Sequence, residues 1–154
     1  TAGERVWLKR RFKEYKIDDQ DLSKLKMRMD IIPVSLALAQ AANETGWGTS
    51  RFALEGNAIF GQWTWSGNGI APLDRESNKN HKILKFPILR ASVKAYQNNL
   101  NTHKSYVNFR DKRSVMREKK KDISGSFIKI RPFFFKYIVI FFKSFDGFEQ
   151  WCRE

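Results

Sequence analysis

The chain has one cysteine, two histidines and four prolines among 154 residues, and each scarcity excludes something. Cys152 alone closes no intrachain disulfide, so no cross-linked scaffold is expected. His81 and His103 have no cysteine or acid at ligand spacing, so neither marks a metal site, and no cofactor is implied. Long apolar runs are missing too. The greasiest stretch, FFFKYIVIFF, is interrupted by Lys136 and falls far short of the roughly 20 residues that a membrane-spanning helix needs. There is no phosphate-cradling glycine loop, no G-x-S-x-G elbow and no internal repeat. The chain starts at Thr1 without a charged, apolar and small-residue leader pattern, and so reads as a mature or excised segment.

Acids are the other shortage. Sixteen Asp and Glu stand against 29 Lys and Arg, a net charge of +13. Such a balance points to an anionic partner: nucleic acid, a membrane surface or a polyanionic polymer such as a bacterial cell wall. The basic residues are spread along the chain and no nucleic-acid recognition motif accompanies them, so no specific nucleic-acid partner is expected. What is present is enough apolar residue, 42%, for one modest core in one domain.

Residues 1 to 29 carry spaced apolar positions, first Val6, Trp7, Leu8, Phe12 and Tyr15, then Leu22, Leu25 and Met27. Spacings of three and four predict one or two amphipathic helices, the second capped by Asp18 or Asp19. IIPVSLALAQAANET predicts a buried helix with Pro33 in its first turn and an apolar stripe of Val34, Ala37, Leu38, Ala41 and Ala42. Thr49 and Ser50 are caps for a short helix, SRFALE, which Gly56 would close. Residues 57 to 87 turn to Gly, Asn and aromatics, and predict a small β-hairpin lobe. Helical spacing returns at ILRASVKAYQNNLNTH, with Leu89, Val93, Tyr96 and Leu100 on one face. SYVNFRDKRSVMREKKK comes next, with Ser105 as its cap and Tyr106, Phe109 and Met116 along one side.

The stretch AANETGWGTSRFALEGNAIFGQW places one carboxylate, Glu44, in the last turn of the apolar helix. The helix dipole favours cations at that end, and an apolar setting penalises charge, so both effects push this carboxyl toward a raised pKa. The same stretch carries a resemblance. From DIIPVSLALAQAANETGWG through FGQW, HKILKF, ASVKAYQNNLNTHKSY and FRDKR, about residues 5 to 117, the chain resembles the bacterial glucosaminidases of glycoside hydrolase family 73, closest to their Bax-like branch.

The resemblance implies a lysozyme-like α+β fold, mostly helical, in a single domain of residues 1–118 with 1–29 as N-terminal helices packed on it. It implies a monomer acting on peptidoglycan glycan strands in the periplasm, in the cell envelope or outside the cell. Cleavage of the β-1,4 bond after N-acetylglucosamine is the implied activity, with Glu44, the acid of an E-[ST]-G-W-G element, as general acid. Most glycosidases add a second carboxylate. Glu76 is the first candidate and Asp74 the second, with assistance by the substrate's own acetamido group left open, because Lys82 follows His81 where Bax-like sequences carry an acid. Glu55 is expected to brace the NAIFGQW turn. Phe60, Gln62 and Trp63 resemble the family's groove floor, and Tyr96, Asn99, His103 and Tyr106 would form the facing wall. Trp47 is expected to be buried by its glycine turn. Two other readings remain: a wall-binding relative without turnover, and a basic nucleic-acid-binding module. Residues 119–154 hold more than half of the thirteen phenylalanines, unlike the polar helices of the family, and resemble an AT-rich reading frame that has slipped.

Overall fold

The computed structural model describes residues 1–65, 67–73, 80–121 and 123. Along these the order is α1 (Ala2–Glu14), α2 (Leu22–Arg28), α3 (Val34–Glu44), α4 (Arg51–Gly56), β1 (Trp63–Thr64), β2 (Gly69–Ile70), β3 (Lys82–Leu84), α5 (Leu89–Thr102), a 3-10 turn (Lys104–Tyr106) and α6 (Val107–Glu118). This is the mostly helical α+β class that the sequence predicts. The β lobe is a three-stranded antiparallel sheet rather than a lone hairpin, in the order β1-β3-β2. Trp63 pairs with Ile83 on one side of β3, and Gly69 pairs with Leu84 on the other. The tail beyond residue 123, including Lys136 and Cys152, lies outside the described residues.

The chain forms two compact units: one of Thr1–Ile32 with Gln97–Ile123, the other holding Pro33–Tyr96. In the first, Phe12, Ile17 and Leu25 are buried, with Leu8, Tyr15 and Met29 packed against them. Val6 and Trp7 are not part of this core, being 50% and 52% exposed. Thr1 caps α1 by accepting the Glu4 N–H at 3.3 Å. Asp21, and not Asp18 or Asp19, caps α2, accepting from the Ser23 and Lys24 N–H groups at 2.7 and 3.2 Å. Asp21 directly precedes the first helical residue, where a short carboxylate reaches the free N–H groups. Asp19 instead pairs with the Lys24 ammonium.

The same unit buries two arginines, Arg110 and Arg113. Arg113 is fully buried on α6 and packs its guanidinium over the Phe109 ring at 5.1 Å. It donates to the carbonyls of Met27 (2.7 Å) and Ile31 (2.9 Å) and to Asn101 Oδ1 (2.8 Å). Arg110 donates to the carbonyls of Leu100 and His103. Asp30 holds Arg117 through two short contacts, 2.7 Å from Nη2 and 3.0 Å from Nε. The expected Ser105 cap is displaced: His103 Nδ1 accepts the Ser105 N–H at 3.2 Å, and α6 begins two residues after Ser105.

In the second unit Phe52, Ala58, Ile83 and Phe86 are buried, and Trp63, Ile70, Leu84, Ala91 and Ala95 pack around them. Ser50 caps α4, as predicted, with the Ala53 N–H 3.3 Å from its hydroxyl. The helix closes one residue later than expected, on Asn57 in the left-handed region. Gly56 is needed for another reason: a Cβ there would stand 2.7 Å from Ile70 Cδ1. Helix α3 is not the buried helix predicted, and Pro33 lies at its cap rather than in its first turn. Val34 and Leu38 are 72% and 65% exposed. Its one buried residue is Glu44. On α5 the buried positions include Ser92, Tyr96 and Leu100, whereas Leu89 and Val93 face solvent. The true face is thus rotated from the predicted one, because it includes a serine that apolar counting passes over.

Candidate active site

Glu44 closes α3, and the chain then enters a tightly bonded turn. The Thr45 hydroxyl donates to the Ala41 carbonyl (2.6 Å) and accepts the Gly48 N–H (2.7 Å). The Trp47 N–H reaches back to the Ala42 carbonyl at 2.8 Å. Gly46, Trp47 and Gly48 have φ of 54°, 62° and 85°, three left-handed residues in succession that reverse the chain sharply. Glycine adopts this region freely, but for Trp47 it costs on the order of 1 kcal/mol or more. The turn does not bury the ring as expected. Trp47 is 87% exposed, because the left-handed backbone turns it outward with nothing packed over it.

Glu44 is 5% exposed, and its Oε2 has no hydrogen-bond partner. No arginine or lysine pairs with it among the described residues, and burial alone pushes its carboxyl up to about 7. One helical turn earlier, Gln40 accepts a hydrogen bond from the Tyr96 hydroxyl. Residues four apart share a helix face, so the Tyr96 hydroxyl is tethered to the Glu44 side of α3. The Tyr96 ring is buried and stacks on Phe60, centroids 3.9 Å apart and planes 9° off parallel.

The β lobe contributes a second aromatic group. Trp63 stacks on His81 at 4.7 Å and meets Trp65 edge-on at 6.1 Å. Trp65 is exposed, whereas His81 is buried. Gln62 buries an unpartnered Oε1 while its carbonyl accepts the Leu84 N–H at 2.7 Å. Glu44, Phe60, Gln62, Trp63 and Tyr96 therefore belong to one compact unit, while Asn99, His103 and Tyr106 belong to the other. His103 and Tyr106 meet edge-to-face at 6.2 Å, and Asn99 is half-buried on α5. Asp74 and Glu76 lie outside the described residues.

Glu55 does not brace the NAIFGQW turn. Its carboxylate is exposed and lies 3.7 Å from Arg51 Nη1, one turn away on α4. Arg51 itself donates to the Ala71 carbonyl at 2.8 Å. Gln40, Trp47, Trp65 and His81 are further candidates that sequence reasoning did not offer for the site. A signal existed for Gln40, which stands four residues before Glu44; Trp65 and His81 depend on ring packing across the chain, and Trp47 on its left-handed backbone. No group of three or more His, Cys, Asp or Glu that could hold a metal occurs among the described residues. Nor is any helix among them long and apolar enough to cross a membrane.

The curated relative "Protein bax" of Escherichia coli (strain K12) is 34% identical over 135 residues, a match covering 82% of this chain and 47% of the relative. The chain thus spans about half the length of that protein. No solved structure matches the chain. A family model, glucosaminidase, described as mannosyl-glycoprotein endo-beta-N-acetylglucosaminidase, matches residues 19–126. That span takes in Glu44, its glycine turn, the aromatic lobe and both buried arginines, and with it the chain belongs to the glucosaminidase family of glycoside hydrolases.

Proposed function

We propose that this chain is an endo-β-N-acetylglucosaminidase that cuts the glycan strand of peptidoglycan on the reducing side of N-acetylglucosamine, with Glu44 as general acid. The observation that carries this reading is the buried, unpaired Glu44 carboxyl, pushed up to about 7. A glycosidic bond breaks when the C1–O electron pair leaves with the oxygen, and that oxygen must receive a proton as it departs. A carboxyl about half protonated at neutral pH can supply it, as an exposed glutamic acid, almost wholly ionised there, cannot.

The positive charge at C1 is then relieved by a carboxylate, Glu76 or Asp74, or by the neighbouring acetamido oxygen, before water adds. Trp47 and Trp65 offer open ring faces to the C–H side of a pyranose. Gln62, whose Oε1 lacks a partner, offers an acceptor to a hydroxyl or acetamido N–H. Tyr96 and Phe60 act from behind as a stacked brace. Asn99, His103 and Tyr106 are candidates for sugar contact on the family resemblance alone. The excess of positive charge favours adsorption to an anionic wall and weakens with salt. The site of action on this reading is outside the cytoplasm, where peptidoglycan lies.

The test is digestion of purified peptidoglycan followed by mass spectrometry of the fragments. New reducing ends at N-acetylglucosamine are expected. Reducing ends at N-acetylmuramic acid would reassign the bond, and bound but uncut wall would make the protein a binding relative. Turnover should fall as pH rises through about 7, where Glu44 gives up its proton; a flat profile from about pH 5 to about pH 9 contradicts its role as acid. Trp47→Ala should raise KM by about tenfold, with folding stability changed by no more than about 0.5 kcal/mol, since the ring contributes almost nothing to the core. An unchanged KM removes Trp47 from the sugar site.

A further inference from the structure

Helix α1 presents a solvent face that its packing does not explain. Its folding role is discharged by Leu8 and Phe12, which join Ile17 and Leu25. Val6, Lys9, Arg10 and Lys13, spaced three and four apart, share another face and are all exposed. Trp7 flanks that face, half-exposed, with the Arg11 guanidinium 5.8 Å from its ring. Arg5 and Lys16 add exposed cations toward either end. Of the two acids on the helix, Glu14 is engaged by Arg11 at 2.5 Å and Glu4 sits at the first turn. Like charges crowded on one helix repel, and an exposed Val and Trp gain nothing from burial. The match to the family model begins at residue 19, past the end of this face.

We propose that α1 is a docking face for a bilayer surface carrying anionic phospholipid, which it meets side-on without crossing. Charge complementarity names the sign of the partner, and the apolar residues name its kind. A soluble polyanion would engage the cations alone. A bilayer also offers an interfacial layer in which an indole and a valine are taken out of water, while long Lys and Arg side chains reach the headgroups. Each cation near such a surface contributes about a fivefold gain in binding at low salt. The proposal concerns where the protein is held and does not depend on what bond it cuts.

The experiment is co-sedimentation of the full chain with vesicles of phosphatidylcholine alone and of phosphatidylcholine mixed with phosphatidylglycerol. Binding is expected only to the mixed vesicles, falling as salt is added. The combined change Lys9→Gln, Arg10→Gln and Lys13→Gln should weaken it roughly 100-fold, with circular dichroism unchanged because these side chains are exposed. Should that variant misfold, Lys13→Gln alone, about fivefold weaker, serves instead. Trp7→Ala should abolish the salt-resistant remainder of binding. Equal binding to both vesicle types, no binding to either, or unchanged binding by the glutamine variants overturns the proposal. So does tight binding to polyglutamate or DNA without vesicle association, which would assign the face to soluble polyanions.

Discussion

Glu44→Gln should lower turnover on peptidoglycan by about 10²- to 10⁴-fold while making the protein more stable above neutral pH. The two effects share one cause. In the folded chain burial pushes the Glu44 carboxyl up from an ordinary 4.5 to about 7. Between those two values the folded state holds a proton that the unfolded state has released. Stability from this group is therefore complete below about pH 4.5, declines as pH rises toward 7, and is flat beyond. A displacement of this size corresponds to roughly 3 kcal/mol across that window. Glutamine is uncharged throughout, so the variant should lose the slope and exceed the wild type by up to that amount at pH 8. Urea denaturation of both proteins at pH 4.5 and pH 8, beside fragment release from peptidoglycan, reads both quantities. Parallel stability profiles, or undiminished release, would remove Glu44 from the mechanism.

Arg113→Ala should be the most damaging single change to the first unit, costing about 3–5 kcal/mol. Burial pushes the Arg113 guanidinium down to about 10, partly offset by Asp30 nearby, so it is still charged at neutral pH. Removing it strands the half-buried Met27 carbonyl and the buried Asn101 Oδ1, and takes a donor from the Ile31 carbonyl as well. Asp30 keeps Arg117 but loses the buried charge 3.6 Å away. Lysine should recover little, since a single ammonium cannot address acceptors that the planar fork meets together. Against a total stability of about 5–15 kcal/mol, the alanine variant forfeits much of the margin. The denaturation midpoint measures this, and a loss under about 1 kcal/mol would show that water or Arg110 takes over those acceptors.

These two residues mark how far the sequence could be read. Glu44 was legible because its signal is local: an acid at the end of an alanine-rich helix, followed by a glycine turn. The Ser50 cap and the mostly helical class were legible for the same reason. Arg113 was not, since two of its acceptors, the Met27 and Ile31 carbonyls, stand more than 80 residues away in sequence. Trp47 misled in the opposite sense: its glycine-flanked turn predicts a buried ring, but its left-handed backbone turns the ring outward. Val34, Leu38, Val6 and Trp7 follow helical spacing without meeting a core. Periodicity reports which residues could be buried and says nothing about whether a partner is there.

The two-part makeup of the first unit sets a schedule on the ribosome. Met27 and Ile31 are synthesised long before Arg113, which follows Ile31 by 82 residues. At ordinary translation speeds that interval is about 4–16 s. Through it the newborn α1 and α2 carry a half-built socket, and a chaperone or protease that samples emerging chains meets them before the guanidinium arrives to lock it.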